Sequence, residues 1–360
     1  MDKTELFAYW PKANFSRYRS LINLFGNLEN AWQAPEQELT QLNWRGEVLP
    51  NFLAWRQTAA KQAEILTKKL ATEKITVLIY GSDLYPNKLF QDLTDPPYAL
   101  FVRGHLNISS PTVAVVGSRL ATPYGIRVLK HLLPNLIAQN ITIVSGLAQG
   151  IDSTAHETAL INSGYTVAVL GHGSDWSDFG TDERRRLLGK KIIDAGGAIV
   201  SEYLPGTPGT NYTFPARNRI IAALSQATLV IEAATGSGAL ITAQCARELH
   251  REILIVPHPI FSETGQGVND QLKQGAHPIT EARDIMEIMG ITPQKNHPTT
   301  KPNFTPQEIS LLNLVQTEPK DRDSLVRELG LTPTSLSLLL TTLEISGAIQ
   351  AKNGLYYPLF

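Results

Sequence analysis

The sequence predicts an α/β protein built on an open, doubly wound parallel sheet, with a helical region before it and a small helix-and-hairpin unit after it. Three observations carry this. Between Thr112 and about Met289, short apolar runs alternate with helical stretches, as in parallel sheets whose strands are buried on both faces. Several runs end directly in glycine-bearing loops. Beyond them Thr292 to Asn303, TPQKNHPTTKPN, has no apolar periodicity and reads as a linker.

Composition narrows the class. With 360 residues, 42% hydrophobic and 18% charged, the chain is expected to be globular, with two or three domains. A formal net charge of -1 argues against coating nucleic acid by bulk attraction, so a polyanion site must be a local concentration of arginines. The single cysteine, Cys245, cannot form an internal disulfide and is expected as a small residue inside a helix. The N-terminal MDKTELFAYWPKANF lacks a signal-peptide pattern, and no stretch approaches ~18 uninterrupted apolar residues. No membrane association and a cytoplasmic location are expected.

Taken in order, residues 1–72 read as a helical domain, sterile-alpha-motif-like or helix-hairpin-helix-like, with Leu21, Ile22, Leu24, Phe25, Leu28, Trp32, Trp44, Phe52 and Trp55 available for a small core. Gly26 marks a turn that either packs or touches a DNA backbone. Residues 73–111 read as a connecting segment packed on the core, with a strand candidate at Thr76 to Tyr80 and a break at Asp95-Pro96-Pro97. Residues 112–291 hold strands at Val113 to Val116, Thr142 to Val144, Thr166 to Leu170, Ala198 to Ser201, Ala227 to Ile231 and Ile253 to Val256. After the linker at 292–303, residues 304–360 read as helices at Pro306 to Gln316, Asp321 to Leu329 and Pro333 to Ile345, then a hairpin turning at Asn353-Gly354. Three helices and a hairpin suggest a winged helix. Nothing between Pro333 and Ser346 is basic, which suits protein contact or simple packing better than a DNA groove.

The stretch from Pro215 to Ala246 is the most informative. Pro215 suits the first turn of a helix, which would place Arg217, Asn218 and Arg219 where unpaired N–H groups attract anions. One of the two arginines is free to face a ligand while the other anchors a carboxylate. Further on, Thr235-Gly236-Ser237-Gly238 turns a buried strand into a second helix start near Ala239. Gly117-Ser118-Arg119 and the loops at Ser145-Gly146 and Gly171-His172-Gly173 should converge with these at the sheet's switch point. Gly117-Ser118-Arg119 lacks GxGxxG spacing, which argues against a dinucleotide cofactor. Tyr212 and Phe214 precede the arginines, placed either to stack on bases or, for Phe214, to pack inside. Arg184-Arg185-Arg186 with Lys190-Lys191 reads as a solvated, internally paired face, with a nucleic-acid fringe as the alternative. Asp152 and His156 lie four apart, and Ser145, His172, Asp175 and His258 lie near strand ends, without the spacing of a metal or serine-nucleophile motif. Asp152 is expected to cap the helix after Gly146.

In order along the chain, VAVVGSR, IVSGLAQGIDSTAH, TVAVLGHGSD, IVSEY, FPARNRIIAALSQATLVIEA and TGSGALITAQCA closely resemble the DNA-processing protein A (DprA/Smf) family, and DPPYALFVRG upstream belongs to the same pattern. The resemblance implies a Rossmann-like core that binds single-stranded DNA, forms a homodimer and helps load the RecA recombinase during natural transformation, with no cofactor and no catalytic step. Its DNA-contacting positions carry over to Arg119, Arg217 and Arg219, with Asn218, Phe214 and the glycine loops at Gly117, Ser118, Gly146, Gly236, Ser237 and Gly238 beside them. The chain departs from the family within SDWSDFG and at Val256-Pro257-His258.

The core also resembles LOG-like nucleotide phosphoribohydrolases, the enzymatic alternative. Their loop carries a catalytic glutamate where this chain has Thr242. A third reading is an adaptor whose tail recruits a partner.

Overall fold

The six apolar runs of the core are strands because helices cover both of their faces. The computed structural model describes residues 2–293, 304–345, 348–352 and 354–358. The chain divides after residue 294 into two units.

The first unit holds a nine-stranded sheet in the order β1-β2-β6-β5-β4-β3-β7-β8-β9. Its strands are β1 (Ile75–Ile79), β2 (Ala99–Gly104), β3 (Thr112–Val116), β4 (Thr142–Ser145), β5 (Thr166–Leu170), β6 (Ala198–Ser201), β7 (Ala227–Val230), β8 (Glu252–Ile255) and β9 (His277–Pro278). From β3 the chain steps outward through β4, β5 and β6, then returns to the other side of β3 with β7, β8 and β9. The direction of winding therefore reverses between β3 and β7, and the loops leaving their carboxyl ends part to leave a crevice. Strands β3 to β7 are buried along their whole length. One apolar layer, with Leu129, Leu133, Ile143 and Leu229, fills one face, and another, with Val116, Val144, Ile220 and Ile255, fills the other.

The sheet is mixed rather than wholly parallel. Strand β2 runs antiparallel to both β6 and β1, so residues 73–111 extend the sheet by two strands: β1 is the strand expected at Thr76 to Tyr80, and β2 was not expected. The Asp95-Pro96-Pro97 break hides this in the sequence, because β2 starts immediately after it as Ala99 to Val102, all buried.

The N-terminal helices, of which Phe15–Phe25 and Val48–Thr72 are the longest, close an aromatic core over β1 and β2. Phe7, Trp10, Leu21, Phe52 and Trp55 meet Tyr98 and Phe101 there. The indoles are satisfied as burial requires: Trp10 Nε1 donates to Asn51 Oδ1 at 2.7 Å and Trp55 Nε1 to the Leu6 carbonyl at 3.1 Å. Gly26, at φ 78°, is the C-cap of the second helix.

In the second unit, helices Pro306–Thr317, Arg322–Leu329 and Pro333–Ile345 pack with a three-stranded sheet of order β10-β12-β11, where β10 is Lys320–Asp321, β11 Ile349–Lys352 and β12 Leu355–Pro358. This is a winged helix. Leu336, Leu340 and Leu343 of the third helix face its core, and Leu338 is exposed. Most of the expected linker and Asn353 of the expected turn lie outside the described residues.

Candidate nucleic-acid interface

A cavity of about 300 Å³ opens at the crevice between the loops after β3 and β7. Glu232, fully buried just beyond β7, ties the two together. Its carbonyl accepts the Ser118 N–H at 2.9 Å, and its carboxylate accepts the Thr122 N–H at 2.8 Å and the Thr122 hydroxyl at 2.7 Å. Ser118 Oγ accepts the Leu120 N–H at 3.0 Å and tightens the turn. Gly117 allows close approach, since a Cβ there would meet Ile151 at 2.6 Å. The loop so fixed leaves Arg119 exposed at the cavity, with its guanidinium 5.9 Å from the centre of the Phe214 ring.

The opposite wall is the helix Thr213–Ala223, with Pro215 in its first turn. Thr210 Oγ1 accepts the Tyr212 and Thr213 N–H groups, and the Thr210 carbonyl accepts that of Phe214. Arg217 lies beyond the first turn, so it acts through its side chain and not through a helix end. That side chain is buried. Nη1 donates to the Gly146 carbonyl at 2.7 Å and to the Val169 carbonyl, and Nε to Asn218 Oδ1 at 3.2 Å. Asn218 in turn donates to the Gly238 carbonyl at 3.1 Å. Ser237 caps the helix Gly238–Glu248, its hydroxyl accepting the Ala239 N–H at 3.3 Å.

Arg119 and Arg217 line the cavity, and Arg185 lies within electrostatic reach of both. Burial lowers the Arg217 pKa to about 10; Asp152 opposes the shift, while Arg185 and Arg119 add to it. Burial likewise lowers that of Arg185, with Arg119 contributing. Burial is the larger cause in both, and the smaller contributions from neighbouring guanidinium groups put these like charges within reach of one another. Arg185 belongs to the basic run expected to be solvated. Instead it is folded onto the strand ends, with Nε donating to the Leu147 carbonyl at 2.8 Å and Nη2 lying 3.3 Å from His172 Nε2. Arg186 pairs with Glu183 at 2.5 Å, and Lys190 stands over Trp176.

Arg219 is not brought to the cavity. It makes a two-pronged pair with Glu202, Nη1 to Oε1 at 2.8 Å and Nη2 to Oε2 at 2.7 Å, and Nε donates to the Asp95 carbonyl at 3.0 Å. Burial works against this charge, but Glu202 and Asp95 more than offset it and hold the guanidinium above its ordinary range. Of the two arginines, Arg219 is thus the one that anchors a carboxylate, since two residues along a helix turn a side chain well away from Arg217. Gly146 lies directly under the Arg217 guanidinium, and Gly236, at φ 78°, shapes the exposed turn before Ser237. Phe214 is half-buried between Gly171 and Gly209, whereas Tyr212 is 86% exposed.

Asp152 does not cap its helix. The N-cap is Gly150, and the buried carboxylate of Asp152 accepts the Gly146 and Ala148 N–H groups instead. Ser145, His172, Asp175 and His156 each find other partners: the Val115 carbonyl, the Gly173 carbonyl, Lys69 and the Thr166 hydroxyl. Thr242, where the enzymatic alternative needs its glutamate, is a buried part of the cavity wall.

Fold and site together define an open α/β protein with an arginine-rich switch-point cavity, carrying a separate winged helix. A family model described as DNA recombination-mediator protein A matches residues 76–290, and one described as DprA winged helix domain matches 294–354. The chain belongs to the DNA-processing protein A (DprA/Smf) family. It is 43% identical over 207 residues to Protein Smf of Escherichia coli, a match spanning 57% of this chain and 54% of that protein. The structure of DNA processing protein A from Streptococcus pneumoniae superposes with a TM-score of 0.64 at 30% identity, covering 80% of this chain and 98% of that one. That of the Helicobacter pylori protein, described for its single-stranded DNA binding mode, gives 0.52 at 26% identity over 60% and 95%. The comparisons lend the phosphoribohydrolase alternative no support. No described helix is long and apolar enough to cross a membrane.

Proposed function

We propose that the chain binds single-stranded DNA at the switch-point cavity, with Arg119 as the phosphate-contacting residue at its mouth and Arg217 and Arg185 supplying charge from below. The convergence of these three guanidinium groups on one sheet edge carries the reading, since phosphate contacts dominate affinity for nucleic acid. Gly117, Ser118, Gly146, Gly236, Ser237 and Gly238 shape the loops, Asn218 and Phe214 complete the wall, and Tyr212 is the aromatic free to stack on a base. Arg219 supports the wall from behind. The relative from Helicobacter pylori supports the choice of ligand.

By the same family likeness the chain is a cytoplasmic homodimer that protects incoming DNA without chemistry of its own and helps load the RecA recombinase in natural transformation. Binding of unpaired and duplex oligonucleotides, compared by gel shift across ionic strengths, tests the central claim. Unpaired DNA should bind more tightly, with affinity falling as salt rises. Equal affinity for the duplex would remove the single-strand assignment.

A further inference from the structure

A second cavity, of about 480 Å³, lies behind the helix wall that Arg219 braces, between the N-terminal helices and the core. Of the helix Thr213–Ala223 only Ala216 and Arg219 reach it, whereas Pro215, Arg217, Asn218 and Ile221 face the switch-point cavity, so the two cavities share a wall but no residue. Lys12, Arg17 and Arg219 line this second cavity against Asp95 and Glu202, an excess of one positive charge. Arg219 is closed by Glu202. Lys12 and Arg17 are not closed: among the described residues neither forms an ion pair within 4.0 Å, and Lys12 Nζ donates only to the Glu47 carbonyl at 3.4 Å. Of the five N–H donors that a guanidinium carries, Arg17 gives one, from Nη1 to the Lys12 carbonyl, and its guanidinium lies 5.8 Å from the centre of the Trp10 ring. Burial lowers the Arg17 pKa, and Asp95 only partly offsets the shift. A half-buried cation with unspent donors at the wall of a cavity suits an oxyanion.

A bare anion would leave most of that volume unfilled. The same cavity presents two half-buried rings, Phe15 from the helical side and Tyr203 from the core, and a planar base stacks on such faces whatever its identity. Its volume falls within the range of small-ligand pockets, which combine apolar walls with a few placed polar groups. We propose that this second cavity binds one nucleoside phosphate, with the phosphate on Arg17 and Lys12 and the base against Phe15 and Tyr203. The site goes beyond the strand-binding reading above and does not depend on it. A free nucleotide and the 5′-terminal nucleotide of a strand present the same phosphate monoester, and the experiment separates them.

The full chain is titrated calorimetrically with each of the four nucleoside 5′-monophosphates, and one oligomer carrying a 5′-phosphate is compared by gel shift with the same oligomer carrying a 5′-hydroxyl. Binding of a monophosphate assigns the site to free nucleotide; a phosphorylated oligomer held about tenfold more tightly than its hydroxyl twin assigns it to a strand end. In either case Lys12→Gln and Arg17→Gln should each weaken that binding about tenfold, as for a hydrogen bond to a charged group, and Arg119→Ala should leave it unchanged. Lys12→Gln carries the test should Arg17→Gln fail to fold. Binding that Arg119→Ala removes and Lys12→Gln spares would place the nucleotide at the switch point and overturn the proposal. No binding of any monophosphate, together with equal affinity for the two oligomers, overturns it without a variant. The hydroxyl oligomer reports on the strand-binding reading alone: Lys12→Gln should hold it as the wild type does, and its failure to bind the wild type would strike that reading and not this one.

Discussion

Arg217 and Gly146 are closer than any other residue at position 146 would allow. The Gly146 carbonyl accepts from Arg217 Nη1 at 2.7 Å, and a Cβ on Gly146 would stand 2.5 Å from that same nitrogen. The glycine after β4 is thus required by the guanidinium and not by its own backbone angles. Gly146→Ala is expected to push Arg217 out of its carbonyl cradle and destabilise the fold by about 1–3 kcal/mol, the usual cost of overpacking. Urea unfolding reads the stability. DNA affinity should fall with it, because displaced charge no longer faces the cavity.

Arg119 should behave in the opposite way. It is exposed and rests against the Phe214 ring, so Arg119→Ala should leave stability within about 0.5 kcal/mol. Binding to every single-stranded sequence should weaken alike, and the slope of log affinity against log salt should shrink by roughly 0.7 for each phosphate that the variant leaves unneutralised. An unaltered slope in titrations at several ionic strengths would remove Arg119 from the interface.

The parallel core was legible because its strands are short, wholly apolar and followed by glycines, which is what a sheet covered on both faces imposes. Strand β2 was not, because two prolines precede it: its apolar run is that of an interior strand, held between β1 and β6, but it reads as the end of a Pro-broken loop that packs. At the site, Arg119 was legible from its place after a strand. That Arg217 and Arg219 would part was legible, but which of them would take the carboxylate was not, since that depends on Gly146 and Glu202, 71 and 17 residues away. Arg185 was obscured by its neighbours: only the fold shows which member of a basic run turns inward.

Arg219 and Glu202 give a prediction that separates architecture from binding. Their pair is largely shielded, with side chains 19% and 16% exposed, and removing either partner leaves the other uncompensated. Arg219→Ala and Glu202→Gln should each destabilise the protein, and the double variant should lose less than their sum, with a coupling of about 1–3 kcal/mol. DNA affinity of the folded fraction should stay close to wild type. A loss matching that of Arg119→Ala would return Arg219 to the phosphate site.

Acid should weaken the fold through two histidines at opposite ends of β5, His156 against Thr166 at its start and His172 just past Leu170 at its end. His156 is fully buried, its Nδ1 2.7 Å from the Thr166 hydroxyl, and burial with Arg217 lowers its pKa to about 3. His172 is lowered to about 4, again chiefly by burial, with Arg185 and Arg217 adding to it. Unfolded, each titrates near about 6.5. As pH falls below that value the unfolded chain takes up protons that the native state refuses, so the stabilisation is complete above about pH 6.5 and is lost progressively toward pH 3–4, by about 1.4 kcal/mol per pH unit for each histidine. Asp152, whose carboxyl is raised by burial, works the other way and blunts the loss. Unfolding midpoints measured from pH 7 to pH 5 should therefore decline, and His156→Asn, which keeps a polar atom near Thr166 without the titration, should remove about half of the slope. A slope unchanged by that substitution would show that His156 is not the group taking up the proton.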